Sequence, residues 1–165
     1  MVTRIRRAGV AVALALLLAA ALAGVAWAVT TIHCPNDPQG DTGTCWGTQK
    51  ADVIIGTSHK DMIDGQRGAD IVRAGRGADH ILSDDYWLGE DENHGGPGAD
   101  EISGSYDAEK HFGGRGDDSI GDYKSDEDRE KERDVFRCGA GRDEVTYNKG
   151  LDRVADDCEV LHPYQ

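Results

Sequence analysis

The chain is poor in aromatic residues, in basic residues and, beyond residue 28, in leucine. Aromatic side chains make up 6% of its 165 residues, so we do not expect a large conventional core. Its 18 Lys and Arg are outnumbered by 31 Asp and Glu, for a net charge of −13. This excludes a general nucleic-acid binder, which needs a basic face, and disfavours docking on anionic lipid. The length suits one domain.

The signatures of common enzymes and zinc sites are also missing. The sequence has no H-E-x-x-H zinc spacing, no G-x-S-x-G nucleophile elbow, no Walker A loop and no C-x-x-C pair. Its six histidines are scattered along the chain. These absences predict that the protein is not an enzyme and holds no zinc.

The first 28 residues have the pattern of a signal peptide. Arg4, Arg6 and Arg7 precede an uncharged apolar run over residues 8–26, and Ala26-Trp27-Ala28 forms a cleavage signature. We therefore expect export with cleavage after Ala28, which removes three positive charges and takes the net charge from −13 to −16. The alternative is an uncleaved anchor, because the apolar run approaches the length that spans a membrane.

The four cysteines lie in two pairs, one near each end of the exported chain. An even number in an exported protein predicts two disulfides, for which three connectivities exist. We expect Cys34–Cys45 and Cys138–Cys158, since these close short terminal loops. Residues 29–46 and 156–165 are interpreted as disulfide-pinned caps, because solenoid ends expose apolar edges.

A nine-residue repeat occupies residues 47–155. Each unit has an acidic residue followed two places later by an apolar one, which is Ile, Val or Phe in nine of ten units, with His111 as the exception. Residues 83–94 and 122–128 interrupt the period and are interpreted as insertions. The units begin at Gly47, Gly56, Gly65, Ala74, Gly95, Gly104, Gly113, Arg129, Cys138 and Tyr147.

The units at Gly95 and Gly113 match G-G-x-G-x-D-x-U-x in full. The repeat therefore resembles the RTX, or hemolysin-type, calcium-binding nonapeptides. The resemblance implies an all-β fold, a right-handed parallel β-roll solenoid, with several calcium ions held between glycine turns. Two units make one 18-residue coil, and their central apolar residues point inward because side chains alternate along a strand. The expected inward row is Ile54, Ile63, Val72, Ile81, Ile102 and Ile120.

Acidic residues 18 positions apart should lie in adjacent coils, about 4.8 Å from one another. Calcium prefers such hard oxygen ligands, which predicts the pairs Asp52–Asp70, Asp61–Asp79, Asp100–Asp118 and Asp134–Asp152. Asp also caps turns without metal, and for the units at Gly47, Gly56, Arg129 and Tyr147 both interpretations stay open. The predicted metal ligands are Asp52, Asp61, Asp70, Asp79, Asp100, Asp118, Asp134, Asp143 and Asp152. The glycines expected near the metal are Gly65, Gly68, Gly75, Gly77, Gly95, Gly96, Gly98, Gly113, Gly114, Gly116, Gly139 and Gly141.

The predicted function is that of a secreted calcium-binding repeat protein whose folding requires the metal, because adjacent carboxylates repel one another without it. The alternative is a structural or adhesive surface protein that calcium rigidifies. Calcium is the one partner that we expect. The sequence predicts no nucleic-acid partner and no stable membrane insertion after cleavage, and it does not identify a protein partner.

Overall fold

The computed structural model describes residues 29–36, 43–83, 89–105, 107–121 and 132–164. Within these ranges the chain forms short β-strands and no helix. The strands are β1 Thr30–His33, β2 Gly43–Trp46, β3 Asp52–Ile55, β4 Asp61–Asp64, β5 Ile71–Arg73, β6 His80–Leu82, β7 Glu92–Pro97, β8 Glu101–Ser103, β9 Lys110–Arg115, β10 Ser119–Gly121, β11 Val135–Ala140, β12 Glu144–Asn148, β13 Arg153–Val154 and β14 Val160–Tyr164.

Successive strands alternate between two parallel sheets. Sheet A contains the odd-numbered strands in the order β1-β3-β5-β7-β9-β11-β13, and sheet B contains the even-numbered strands in the order β2-β4-β6-β8-β10-β12-β14. Each strand thus pairs with the strand one coil away, and the chain winds through about six turns. The prediction of an all-β parallel solenoid is confirmed.

The core is a thin double row of side chains, one row from each sheet. All six residues of the predicted inward row are at most 1% exposed. Pairing aligns Ile54, Val72, Asn93, His111 and Phe136 in sheet A. It aligns Ile63, Ile81, Ile102, Ile120 and Val145 in sheet B. Because one residue per strand fills the core, each coil buries its apolar surface only against its neighbours.

The segment 83–94, expected to interrupt the repeat, ends inside the solenoid. Glu92, Asn93 and His94 pair with Ile71, Val72 and Arg73 of the preceding coil. Asp91 stands one coil after Asp70, 21 residues later rather than 18. This spacing is three residues longer than the regular one, and sheet A continues at Glu92.

Both expected disulfides, Cys34–Cys45 and Cys138–Cys158, are present. The terminal segments also add strands, since β1 and β2 extend one end of the two sheets and β14 extends sheet B at the other. Beside the second disulfide, the carboxylate of Asp157 accepts hydrogen bonds from the backbone N–H groups of Cys138 and Gly139, at 3.3 and 3.1 Å. This side chain covers part of the β11 edge that the two-residue strand β13 leaves unpaired.

Several sequence predictions concern residues outside the described ranges. These are the signal peptide at residues 1–28, positions 84–88 of the first interruption and the second interruption at 122–128. Among the residues that the structure does describe, none belongs to a helix long and apolar enough to cross a membrane.

Candidate metal centre

An acidic residue stands at or just before the start of nearly every strand, and these residues form two ladders along the solenoid. The A ladder, leading into sheet A, is Asp52, Asp70, Asp91, Glu109, Asp134 and Asp152. The B ladder, leading into sheet B, is Asp61, Asp79, Asp100, Asp118, Asp143 and Glu159. All nine predicted metal ligands lie in these ladders, and the four predicted pairs are neighbours within them.

One carboxylate oxygen of each B-ladder residue from Asp79 onward is used to join adjacent coils. The backbone N–H of Asp61 donates to Oδ1 of Asp79 at 2.8 Å, and that of Asp79 donates to Oδ1 of Asp100 at 2.9 Å. Each later residue of the ladder likewise accepts a bond from the backbone N–H of the residue before it, at 2.9 Å for Asp118, 2.8 Å for Asp143 and 3.0 Å for Glu159. The A ladder has the same backbone N–H to Oδ1 bond. Asp52 donates to Asp70 and Asp70 to Asp91, and further along the ladder Glu109 donates to Asp134 and Asp134 to Asp152.

The second carboxylate oxygen distinguishes two groups among eight of the twelve ladder residues. In the capped group, Oδ2 of Asp52, Asp61 and Asp152 accepts a 2.6 Å hydrogen bond from a backbone N–H four residues earlier. Glu109 accepts equivalent bonds from the backbone and hydroxyl of Ser105. In the open group, Oδ2 is buried and has no hydrogen-bond partner; its members are Asp79, Asp100, Asp118 and Asp143.

The second residue of the preceding turn separates the two groups. Capped residues follow a turn with Thr48, Thr57, Ser105 or Asn148 at this position. Open residues follow a turn with glycine there, and Gly75, Gly96, Gly114 and Gly139 have φ between 104° and 121°. Glycine adopts this left-handed conformation without steric cost. The four open turns, residues 74–77, 95–98, 113–116 and 138–141, are stacked in consecutive coils.

Backbone carbonyl oxygens line these open turns. A Cβ atom added at Gly96 would collide with the carbonyl oxygen of Gly75, and one at Gly114 with that of Gly96. The fourth position of the turn is equally close to the next coil, since a Cβ atom added at Gly116 would collide with the carbonyl oxygen of Gly98. Oδ2 of Asp118 stands 2.5 Å from where a Cβ at Gly113 would be, within its own turn. At the second and fourth positions, which are glycine in all four open turns, only glycine allows the carbonyls of adjacent turns to approach so closely.

Burial raises the pKa of all four open carboxyls. The pKa of Asp118 rises to about 7, with further increases from neighbouring Asp100, Asp143 and Asp117 and a decrease from the backbone hydrogen bond of Asp100. The pKa of Asp79 rises to about 6 for the same kinds of reason. The ionised form of these groups thus lacks the stabilisation that a hydrogen-bond donor or a cation would provide.

The donor atoms of the open turns suit calcium. Calcium takes six to eight oxygen ligands from carboxylates and backbone carbonyls, and glycine turns with a buried carboxylate supply both kinds. Within the described ranges, no three Asp, Glu, His or Cys side chains lie close enough together to hold a metal by themselves. Backbone carbonyls must therefore provide much of any coordination sphere here.

The ladders contain acidic residues that the sequence analysis did not select. Asp91 was missed because its unit has three additional residues and carries Asn93 where the others have an apolar residue. Glu109 was passed over because Glu and His111 replace the usual Asp and apolar residue. Glu159 lies beyond the last repeat but accepts the hydrogen bond that ends the B ladder. Its position directly before a strand was the available signal.

Comparison with known families agrees with this geometry. Residues 46–81 and 89–120 match the family model of the RTX calcium-binding nonapeptide repeat, in four copies. These two stretches of the chain therefore carry RTX calcium-binding nonapeptide repeats, and they form the middle coils of the solenoid. The second matched stretch begins at residue 89, within the segment first interpreted as an insertion. No curated protein and no solved structure gives a significant match.

Proposed function

We propose that this protein is an exported calcium-binding repeat protein whose solenoid becomes ordered when calcium binds along the B ladder. Asp79, Asp100, Asp118 and Asp143 would hold the ions together with carbonyl oxygens of the open turns. The proposal includes no catalytic activity. Asp70 and Asp134, in the A ladder, remain predicted ligands.

The observation that carries the proposal is the buried, unpartnered Oδ2 atom of each open carboxylate. A buried polar group without a partner costs free energy, and a buried charge costs more. Bound calcium would supply the compensating positive charge and join oxygens of adjacent coils. The chain's own contribution is to hold those oxygens in place through the Oδ1 hydrogen bonds and the left-handed glycines.

Coupling to folding follows from the thin core. With one inward side chain per strand, apolar burial is modest, and stacked anions weaken it further. Calcium that binds the folded chain and not the unfolded one stabilises the fold in proportion to its concentration. We expect affinities of about 10⁻⁴–10⁻³ M, the range of extracellular calcium modules.

Export is supported by the family and by the disulfides. RTX calcium-binding repeats are typical of secreted proteins. Two disulfides suit an oxidising compartment. N-terminal sequencing of the protein recovered outside the cell tests this part, with Val29 expected as the first residue.

Calcium binding is tested on residues 29–165 after exhaustive chelation. Far-UV circular dichroism should change from a spectrum of reduced β content to a β-rich one as calcium is added, and calorimetry should record binding. Magnesium at equal concentration serves as the control, because its strict octahedral preference suits these turns poorly. An unchanged spectrum together with no heat of binding would contradict the proposal.

A further inference from the structure

We infer that the second residue of each turn decides whether its acidic residue binds calcium, so that the capped carboxylates bind none. This inference rests on the proposed function. It assigns calcium to the stacked open turns of the B ladder. Asp52, Asp61, Glu109 and Asp152 are assigned instead a purely structural role as metal-independent acceptors.

The capping hydrogen bonds are the first support. The backbone N–H of Thr57 lies 2.6 Å from Oδ2 of Asp61, and the Thr57 hydroxyl lies 2.9 Å from the same atom. Bonds to an ionised acceptor are short and about twice as strong as neutral ones. A calcium ion on this oxygen would have to displace both donors, because their positive ends already point at it.

The carbonyl oxygens of the capped turns are the second support. The carbonyl of Thr57 accepts a hydrogen bond from the backbone N–H of Arg76 at 3.1 Å, and that of Thr48 accepts one from Arg67 at 3.3 Å. The second residue of these turns is thus bound at both its N–H and its carbonyl. In both turns, a backbone N–H is therefore already bound to the carbonyl oxygen that a calcium ion would need as a ligand.

The stacking of the open turns is the third support. An ion between two coils needs ligands from both, and the four open turns follow one another along the B ladder. The capped turn at residues 56–59 precedes this stack. Asp61 therefore belongs to the same ladder as the open residues. It differs from them in the second residue of its turn, which is Thr57 and not glycine.

Matched isosteric variants test the inference. Asp100→Asn keeps an oxygen for the backbone N–H of Asp79 but removes a charged ligand, so it should lower the number of bound calcium ions and raise the calcium concentration needed for folding. Asp61→Asn places an amide N–H against the Thr57 donors. It should lower the melting temperature equally with calcium and with chelator, while calorimetry finds the wild-type number of ions.

Asp152→Asn makes the same comparison on the A ladder, because the backbone N–H of Asn148 caps Oδ2 of Asp152. This variant replaces Asp61→Asn if Asp61→Asn does not fold. Loss of a calcium ion in Asp61→Asn or Asp152→Asn would overturn the inference and leave the proposed function intact. Unchanged calcium binding in Asp100→Asn would overturn it as well. A wild-type protein that binds no calcium would instead overturn the proposed function.

Discussion

A single carboxylate oxygen distinguishes two kinds of acidic residue in this solenoid. Oδ1 of every open residue, and of the capped Asp152, accepts a backbone N–H from the coil before. Oδ2 either receives a backbone N–H from its own turn, as in Asp61, or is buried without a donor, as in Asp100. Burying an ionised group without a partner raises its pKa, which makes pH a probe of the open residues.

Without calcium, the protein should be more stable at pH 5 than at pH 8. The pKa values of Asp79 and Asp118 are about 6 and 7 when folded, against 3.8 in the unfolded chain. For such raised groups, the stabilisation is fully present below the unfolded pKa and is lost as pH rises through the folded pKa. The loss is on the order of 2 kcal/mol for Asp118, measurable by urea denaturation in chelator.

Excess calcium should reverse this dependence, since the metal binds ionised carboxylates and is displaced by protons. Equal stability at the two pH values in chelator would show that the open carboxyls are not buried as described. Asp152→Asn is the matched control, because this capped residue lies on the A ladder and is not among the groups that shift the pKa of Asp79 or Asp118.

The capped turn at residues 56–59 can be converted to an open one by two substitutions. Thr57→Gly with His59→Gly creates the sequence G-G-S-G, and the Thr57 hydroxyl that caps Asp61 is lost. We expect one additional calcium ion by calorimetry and a loss of about 1–2 kcal/mol of stability in chelator. Ser58→Gly, at an exposed position of the same turn, is the control. If the double variant gains no ion, the second residue does not decide binding.

The turns and strands show which features a single sequence reveals. Periodicity placed the strands of the regular units, the inward row and the neighbouring aspartate pairs correctly, because one residue per strand must point into the core. For the units at Gly47, Gly56 and Tyr147, the sequence is compatible with both metal binding and turn capping. The structure shows capping bonds in all three. Their second residues, Thr48, Thr57 and Asn148, were visible in the sequence, but the direction of their N–H groups was not.

One strand pair was harder to predict because polar residues occupy the core. Asn93 and His111 face inward in β7 and β9 and are fully buried. The amide of Asn93 donates to the hydroxyl of Ser83 at 2.8 Å, and Nε2 of His111 lies 3.2 Å from the carboxylate of Glu109. Oδ1 of Asn93 and Nε2 of His111 have no hydrogen-bond partner among the described residues, so these core side chains use only part of their hydrogen-bonding capacity. An apolar pattern alone misses such a unit.

This polar cluster should behave as a coupled unit. His111→Val removes the ring next to the Glu109 carboxylate, and Asn93→Val removes the amide that donates to Ser83, so each should cost about 1–3 kcal/mol. In the double variant, valines at positions 93 and 111 would continue the apolar row of sheet A from Val72. Its loss of stability should therefore be smaller than the sum of the two single losses. Urea denaturation in excess calcium, analysed as a double-mutant cycle, measures the coupling. Strictly additive losses would mean that the two side chains act independently.

Across the described part of the molecule, caps and disulfides that need no metal lie in the first coils, at Glu109 and in the last coils. The disulfide Cys34–Cys45 joins β2 to the segment after β1, and the turns before β3 and β4 are capped by Thr48 and Thr57. The stacked open turns follow in the middle coils. The solenoid therefore has a part held by hydrogen bonds and a disulfide, and a part that depends on calcium.

Hydrogen exchange should resolve these two parts. In chelator, amides of β3 and β4 should keep more protection than those of β8 and β10, because local stability differs along a solenoid. Calcium should equalise the four strands. Equal loss of protection in all four strands would contradict the division, as would no loss in any of them. Reduction of the disulfides provides the comparison, since it should weaken β3 and β4 selectively.

The most direct measurement of the central claim is a crystal structure grown in calcium, with anomalous difference maps recorded at long wavelength. The account predicts calcium peaks between the turns 95–98 and 113–116, beside Oδ2 of Asp100 and Asp118. It predicts none at Oδ2 of Asp61 or Asp152, which the Thr57 and Asn148 backbones should still cap. Ordered open turns without a peak beside those oxygens would contradict it.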